Sequence, residues 1–221
     1  LDDADIAAVV EALGSDYLTT GPRVEKFEKA LADYCGVNHA VAVCNGTAAL
    51  HLAALAAGLK PGDRVLTSAN TFLASANCAE FAGATADFAD IDPRTYNVTS
   101  ATLRAAWRDD VRAIVPVAFA GQPCNMPAIA AMARSRGAIV IEDACHAIGS
   151  EIQHAGQTYK AGGHPWADMT VFSFHPVKTI TTGEGGAIVT DNDNYAERCR
   201  LFRNHGMVKD PSQYRSIDLC P

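Results

Sequence analysis

No CxxC pair occurs in this 221-residue sequence, although it contains seven cysteines. The usual cysteine spacing of a structural zinc site is therefore absent. An odd number of scattered cysteines also argues against a disulfide framework and is typical of reduced thiols. We therefore expect a cytoplasmic protein without a metal centre.

Long apolar runs and an excess of positive charge are absent as well. The most apolar region, residues 40–59, is interrupted by Asn45, Gly46, Thr47 and His51, which make it too polar for a membrane span. The net charge is −7, whereas nucleic-acid binding needs basic patches. We expect neither a membrane nor a nucleic acid as a partner.

The sequence does contain a regular alternation of apolar strands and amphipathic helices. Uniformly apolar strands are typical of a buried, mostly parallel sheet with helices on both faces. No G-x-G-x-x-G motif follows any of these strands, which disfavours a nucleotide-binding oxidoreductase. The predicted helices cover residues 3–13, 22–34, 47–57, 71–81, 99–107, 126–134 and 192–203, and the predicted strands cover residues 39–44, 64–67, 85–88, 113–118, 138–141, 169–174 and 187–190.

This alternation predicts an α/β fold with one domain over residues 1–208, including an N-terminal helical segment. Residues 209–221 fit no helix or strand, so we expect an irregular tail there. In open α/β sheets, ligands bind at the carboxyl ends of the strands. Polar residues that follow a predicted strand are therefore the candidates for a functional site.

Asn45-Gly46-Thr47-Ala48 lies between a predicted strand and a predicted helix. Gly46 permits a tight turn, and the free N–H groups at the start of a helix can hold a phosphate. The same residues also fit an ordinary Asn-Gly turn followed by a threonine helix cap. The motif alone leaves both interpretations open.

Glu142 and Asp143 end an apolar strand at the expected ligand edge. An aspartate here could pair with a protonated ring nitrogen of a cofactor and so keep that ring an electron sink. Asp143 could equally cap a helix or ligate a metal. Cys145 and His146 follow, but neighbours in a turn seldom point at each other, which disfavours a cysteine-based enzyme.

Lys178 lies between two apolar strands. In the segment from Ser173 to Gly183, His175 is the only other residue that can carry a charge. A desolvated lysine favours its amine form, which can attack a carbonyl. Ser173, five residues earlier, could bind a phosphate through its hydroxyl. The alternative is an exposed loop lysine, but exposed loops rarely carry so little charge, and we favour a functional lysine.

Phe72 follows the strand predicted over residues 64–67. Its ring could lie over a flat cofactor ring. An aromatic side chain in the hydrophobic core is the alternative interpretation of the same position.

The order of these features resembles that in pyridoxal 5'-phosphate (PLP) enzymes of fold type I. The residues of the motifs resemble those of the DegT-type sugar-nucleotide aminotransferases. The resemblance extends from the first helix to about Met207. It implies a three-layer α/β/α large domain with a mostly parallel sheet, and a homodimer. The matching segments are residues 17–22, 45–51, 142–149, 173–178, 183–186 and 203–207.

The resemblance also implies roles for the residues around the cofactor ring. Lys178 would carry the cofactor covalently and move the proton, and Asp143 would pair with the pyridine nitrogen. Phe72 would stack on the ring, and His146 would lie near its 3-hydroxyl. Family members with dehydratase activity have histidine in place of the lysine, so Lys178 favours transamination.

Further roles follow for the phosphate and the substrate. Thr47, Ala48 and Ser173 would hold the phosphate, and Gly46 would belong to the same cofactor-binding turn. The resemblance places Thr20 and Glu184 near the substrate.

Within the family, residues 15–22 and 175–178 look most like members that aminate C4 of a UDP-linked 4-keto-6-deoxy-N-acetylhexosamine in pseudaminic acid biosynthesis, with glutamate as donor. Family members continue into a C-terminal small domain that is not evident in this sequence. Two alternatives stay open: a non-catalytic PLP-binding remnant, and an aminotransferase for another nucleotide-linked keto-sugar.

Overall fold

The computed structural model describes residues 1–208, so the tail predicted over residues 209–221 lies outside the described residues. No helix in residues 1–208 has both the length and the apolar character needed to cross a membrane. The helices are α1 Asp3–Leu13, α2 Pro22–Cys35, α3 Gly46–Ala56, α4 Ala74–Phe81, α5 Ser100–Ala105, α6 Met126–Arg134 and α7 Asp193–Arg203. The strands are β1 His39–Val43, β2 Arg64–Ser68, β3 Thr85–Ala89, β4 Val111–Val115, β5 Ile139–Asp143, β6 Glu151–His154, β7 Gln157–Lys160, β8 Met169–Ser173 and β9 Gly186–Thr190.

Seven of these strands form one sheet in the order β1-β9-β8-β5-β4-β2-β3. The pairings from β8 through β5, β4 and β2 to β3 are all parallel. β9 is antiparallel to both β1 and β8 and therefore runs against the other six strands. The prediction of a mostly parallel sheet is confirmed.

Alternate residues of each strand pack on opposite faces of this sheet. Val65 and Ile141 belong to the apolar core shared with α3, α4 and α7. Their neighbours Leu66 and Val140 belong to a second core shared with α5 and α6. Because both faces are covered by helices, apolar side chains of the central strands are buried on both faces, as in a three-layer α/β/α fold.

Local signals explain why several helices begin and end as predicted. Pro22 occupies the first turn of α2, where its missing N–H costs nothing, and Gly36 ends that helix in the left-handed conformation with φ 76°. α1 begins with a capping box in which Asp2 and Asp5 bond to each other's backbone N–H. Both helices therefore carry their boundaries in the sequence.

Two predictions of local structure were wrong. The sequence analysis predicted no strand between residues 149 and 168, but β6 and β7 form an antiparallel hairpin there. Its turn residues Ala155 and Gly156 both have positive φ, as a type I′ turn requires, and alanine carries no signal for that turn. The helix predicted from Thr71 begins at Ala74, and its N-cap residue Leu73 makes no side-chain cap hydrogen bond, so no capping residue marks this start in the sequence.

Candidate active site

A cavity of about 430 Å³ opens at the carboxyl ends of β1, β4, β5 and β8. This is the edge at which open α/β sheets bind ligands. Its wall combines apolar side chains with a small number of polar and ionisable groups, which is the usual composition of a cofactor site. The wall residues used below are Asn45, Gly46, Thr47, Thr71, Phe72, Phe119, Asp143, Cys145, His146, Ser173, His175, Val177, Lys178 and Glu184.

The first turn of α3 forms one side of the cavity. Asn45 is the N-cap of this helix, and its Oδ1 accepts a hydrogen bond from the Ala48 N–H at 2.8 Å. The cap is therefore the asparagine, not the threonine that the sequence suggested as the alternative. The N–H groups at the start of α3 face the sheet edge that carries the cavity, where an anion would be stabilised.

Two glycines allow this turn to lie against the ends of the neighbouring strands. A Cβ on Gly46 would lie 2.9 Å from the Ser173 Cβ and 3.1 Å from the Cys145 Sγ. A Cβ on Gly186 would lie 2.4 Å from the backbone carbon of Asn45. The close approach of α3, β8 and β9 at the cavity therefore needs glycine at both positions.

Asp143 is the last residue of β5, and only 6% of its surface is exposed. Its Oδ2 accepts a hydrogen bond from the Ser75 hydroxyl at 2.6 Å, and its Oδ1 accepts one from the Cys145 N–H at 3.2 Å. No helix follows β5 directly, so Asp143 does not act as the N-cap that the sequence allowed. Its carboxylate is held at the wall of the cavity.

His146 lies at the cavity in the turn after β5, and its Nδ1 accepts a hydrogen bond from the Ala120 N–H at 3.3 Å. Partial burial lowers the pKa of this imidazole, and the nearby positive charge of Lys178 lowers it further, while Asp143 opposes both effects. The side chain is therefore a neutral imidazole near neutral pH, with the proton on Nε2.

Lys178 lies in the loop between β8 and β9 and lines the cavity, but it is not enclosed as the uncharged sequence suggested. The lysine is half-buried, and the neighbouring Val177 is 78% exposed. Charge is scarce in this loop although most of it is exposed, so the inference from low charge to burial was wrong. The placement of Lys178 at the same cavity as Asp143 and His146 agrees with the sequence analysis.

Cys145 also reaches the cavity, next to Gly46. Burial, followed by the negative charge of Asp143, raises the pKa of its thiol well above the ordinary cysteine range. A protonated, buried thiol is a poor nucleophile. This environment disfavours the cysteine-based alternative.

Eight of the ten candidate residues from the sequence analysis line the cavity, and two do not. Ala48 lies behind the first turn of α3, with its N–H bonded to Asn45. Thr20 is exposed in the loop before α2 and has a positive φ of 49°. Phe72 is 72% exposed, so the alternative of a core aromatic is wrong.

The sequence analysis missed three polar or aromatic groups at this site. Ser75 contacts Asp143, and His175 and Phe119 lie on the cavity wall. Ser75 stands in an alanine-rich helix and follows no strand directly, so no local pattern singled it out. His175 was quoted only as part of the lysine motif.

The fold and the cavity first define a class: an α/β protein in which a lysine, an aspartate and a helix N-terminus meet at the carboxyl ends of the strands. Within this class, the chain belongs to the DegT/DnrJ/EryC1/StrS aminotransferase family, which matches residues 1–219. The resemblance inferred from the motifs is thereby confirmed.

Two curated relatives are similar over most of this chain. The spore coat polysaccharide biosynthesis protein SpsC of Bacillus subtilis is 45% identical over 206 residues, which are 93% of this chain and 51% of SpsC. The GDP-perosamine synthase of Caulobacter vibrioides is 44% identical over 214 residues, which are 96% of this chain and 56% of that protein. The chain thus spans about half the length of the curated relatives that it matches.

Solved structures of aminotransferases share the fold. The aminotransferase of Psychrobacter cryohalolentis superimposes with a TM-score of 0.88 at 31% identity, covering 95% of this chain and 52% of that one. PseC of Helicobacter pylori, described as involved in pseudoaminic acid biosynthesis, gives 0.86 at 33%, covering 97% and 56%. The PLP form of the sugar aminotransferase Spr1654 of Streptococcus pneumoniae gives 0.87 at 28%, covering 95% and 57%.

Proposed function

We propose that this chain is the PLP-binding large domain, residues 1–208, of an aminotransferase that transfers an amino group from glutamate to C4 of a UDP-linked 4-keto-6-deoxy-N-acetylhexosamine. The observation that carries the proposal is the meeting of Lys178, Asp143 and His146 at one cavity. A lysine nucleophile and a carboxylate partner for the ring nitrogen are the groups that PLP enzymes use, and a neutral imidazole can donate a further hydrogen bond to the cofactor. Family membership supports the same reaction class.

The residues at the cavity fit PLP. The N-terminus of α3, with Gly46 and Thr47, together with the Ser173 hydroxyl, would hold the phosphate, because helix N–H groups favour an anion. The Ala48 N–H is already bonded to Asn45, so Ala48 would shape this turn rather than donate to the phosphate. Phe72, exposed beside the cavity, would cover one face of the ring.

When bound, PLP supplies an electron sink for the electrons left on the amino donor's α-carbon. The Asp143 carboxylate would accept the N–H of the ring nitrogen, and the Nε2–H of His146 would donate to the ring's 3-oxygen. The Nζ of Lys178 would take up the α-proton of the amino donor and move it to the cofactor. Glu184, at the cavity wall, would face the substrate, whereas we assign no contact to Thr20.

A second candidate substrate is a GDP-linked 4-keto sugar. It is supported by the 44% identity over 214 residues to a GDP-perosamine synthase. Either substrate would bring its ketone to the same cofactor site, where Lys178 would move the protons. Both candidates therefore predict the same cofactor site and differ only in the nucleotide.

We also propose that the protein is a cytoplasmic homodimer. Large apolar side chains are exposed beside the cavity, among them Phe72, Leu73 and Val177. An exposed apolar patch of this kind is typical of a surface that another subunit covers. Analytical ultracentrifugation tests this proposal, and a monomer at micromolar concentration would contradict it.

Borohydride trapping tests the cofactor site. The purified protein is incubated with PLP, reduced with borohydride and digested, and the peptides are mapped by mass spectrometry. We expect a pyridoxyl group on Lys178. A folded protein that gives no such peptide would contradict the proposal.

Steady-state kinetics then test the reaction. Glutamate is combined with a UDP-linked and a GDP-linked 4-keto sugar, and the amino-sugar product is measured. The amino group would be stored on the cofactor between two half-reactions, which is a ping-pong scheme. Double-reciprocal plots of rate against one substrate, at several concentrations of the other, should therefore give parallel lines. Trapping on Lys178 without turnover of any keto-sugar would instead support a non-catalytic PLP-binding protein.

A further inference from the structure

A chain of hydrogen bonds runs from the loop before α4, through Ser75 of α4, to the carboxylate at the end of β5. The hydroxyls of Thr71 and Ser75 lie 2.6 Å apart, and the Ser75 Oγ lies 2.6 Å from the Asp143 Oδ2. Ser75 is fully buried, and Thr71 lines the cavity. Three polar groups, one from a loop, one from α4 and one from β5, thus form one continuous chain.

The direction of this chain follows from the donors available. An ionised carboxylate can only accept hydrogen bonds, so the single hydroxyl proton of Ser75 points to Asp143. The Ser75 oxygen is then the acceptor for Thr71, whose hydroxyl proton points to Ser75. Hydrogen bonds that are aligned in this way polarise one another, and a bond to a charged acceptor is among the stronger ones in proteins.

The two oxygens of Asp143 are therefore held from opposite directions. The Cys145 N–H at 3.2 Å holds Oδ1 from the following turn of the chain. Ser75 holds Oδ2 from α4, which is a separate element. With both oxygens bonded, the plane of the carboxylate is defined relative to the cavity.

We propose that Ser75 is a positioning residue that orients Asp143 for its bond to the ring nitrogen of PLP, with Thr71 as the donor that orients Ser75. The proposal rests on the proposed function, because it needs Asp143 to contact the cofactor. It explains a buried serine in an otherwise alanine-rich helix, Ala74-Ser75-Ala76, where alanine has the higher helix propensity.

The test compares variants that remove hydroxyls with variants that keep them. Ser75→Ala removes the donor to Asp143. Thr71→Val removes the hydroxyl of Thr71 at constant shape, and Thr71→Ser keeps it. Thr67→Val is the matched control, because the Thr67 hydroxyl is equally buried but donates to the Val115 carbonyl at 2.8 Å, away from Asp143.

Four quantities are measured for each variant: the melting temperature, the affinity for PLP, kcat, and the pH dependence of the absorption spectrum of the bound cofactor. The spectrum reports the protonation of the cofactor, which a purely structural serine would not affect. For Ser75→Ala we expect a shifted pH dependence and a kcat lower by about 100-fold, the loss expected from a small misplacement of a catalytic group. The effect of Thr71→Val should be smaller, and Thr71→Ser should restore the wild-type spectrum.

Two outcomes are decisive, and they are distinguishable from a failure of the proposed function. If wild-type protein is trapped by PLP on Lys178 but Ser75→Ala has the same spectrum–pH curve as Thr67→Val, the positioning role is overturned. If Ser75→Ala lowers only the melting temperature, as Thr67→Val does, Ser75 is structural and the inference is likewise overturned. Failure of trapping in the wild type would refute the proposed function itself.

Discussion

The backbone N–H of Ala120 donates a hydrogen bond to the Nδ1 of His146 at 3.3 Å. Ala120 has a φ of 51°, a left-handed conformation that is uncommon for alanine, and the next residue, Gly121, has a φ of 85°. The Ser150 hydroxyl holds this loop through the Gly121 carbonyl at 2.7 Å. The loop therefore places an N–H against one ring nitrogen and leaves Nε2 as the donor.

Burial and the charge of Lys178 predict a lowered pKa for His146, which can be measured by NMR titration. We expect a midpoint below the ordinary histidine value of about 6.5, because partial burial and Lys178 disfavour the charged ring. Lys178→Met should raise the midpoint, and Asp143→Asn should lower it further. A wild-type midpoint above 6.5 would contradict the lowering of this pKa by burial and by Lys178.

The lowered pKa of His146 also predicts how the free energy of unfolding changes with pH. A histidine whose folded-state pKa is lowered binds its proton more readily in the unfolded chain. The contribution of His146 to the free energy of unfolding is therefore fully present above the unfolded pKa of about 6.5 and is lost as the pH falls through the folded value. In His146→Gln, which cannot titrate, this part of the acid destabilisation should disappear.

Gly46→Ala should damage the cofactor site more than the fold. The new Cβ would lie 2.9 Å from the Ser173 Cβ, so the N-terminus of α3 must move away from β8. We expect the affinity for PLP to fall more than tenfold and the free energy of unfolding to fall by about 1–3 kcal/mol, as in other overpacked sites. Fluorescence titration with PLP and urea unfolding measure the two effects.

Gly14→Ala is the matched control for this substitution. A Cβ at Gly14 would meet only the Val10 and Glu11 carbonyls, at 3.6 and 3.8 Å, and the backbone there is right-handed. Gly14→Ala should leave PLP binding unchanged. Equal affinities of the two variants would show that Gly46 is not part of the phosphate site.

The buried pair of Glu142 and His164 predicts a large effect on stability. The His164 Nε2 and the Thr170 hydroxyl lie 2.9 and 3.0 Å from the same Glu142 oxygen, and the side chains of Glu142 and His164 are essentially inaccessible to water. The other oxygen, Oε1, is buried and has no hydrogen-bond partner within residues 1–208. The pair joins β5 to the segment that follows the β6–β7 hairpin.

His164→Ala should therefore cost about 3–5 kcal/mol of unfolding free energy, because it leaves a buried carboxylate without its partner. Glu142→Gln removes the carboxylate charge but keeps a side-chain oxygen that can accept the bonds from His164 and Thr170, so it should cost less. Urea unfolding gives both values. A His164→Ala loss no larger than that of Glu142→Gln would show that the unpaired charge is not the main cost.

Particular elements show how much of the fold and of the cavity could be predicted from the sequence. α1 and α6 were predicted with the bounds that the structure has, because capping residues and apolar periodicity are local properties. The cavity was found because parallel strands bring residues such as Asp143 and Ser173 to one edge, although they lie far apart in the sequence. Most residues on the cavity wall belong to the motifs that the sequence analysis had recognised.

The contacts that tune the site could not be predicted in this way. Ala120 and His146 are 26 residues apart and Ser75 and Asp143 are 68 apart, and neither pair forms a sequence pattern. The exposure of Lys178 was also misjudged, because low charge in a segment does not by itself determine burial. Such details depend on how loops and helices pack around the sheet.

Lys178→Ala should abolish covalent trapping of PLP while leaving the fold intact. The lysine is half-buried and lies in a loop, so its loss should change the free energy of unfolding by no more than about 0.5 kcal/mol, as for most surface substitutions. Lys60→Ala, at an exposed lysine outside the cavity wall, is the control and should be trapped like the wild type. Mass spectrometry after borohydride reduction reports trapping, and urea unfolding reports stability. If Lys178→Ala still carried a stoichiometric pyridoxyl group, another lysine would be the nucleophile, and the role proposed for the loop between β8 and β9 would be wrong.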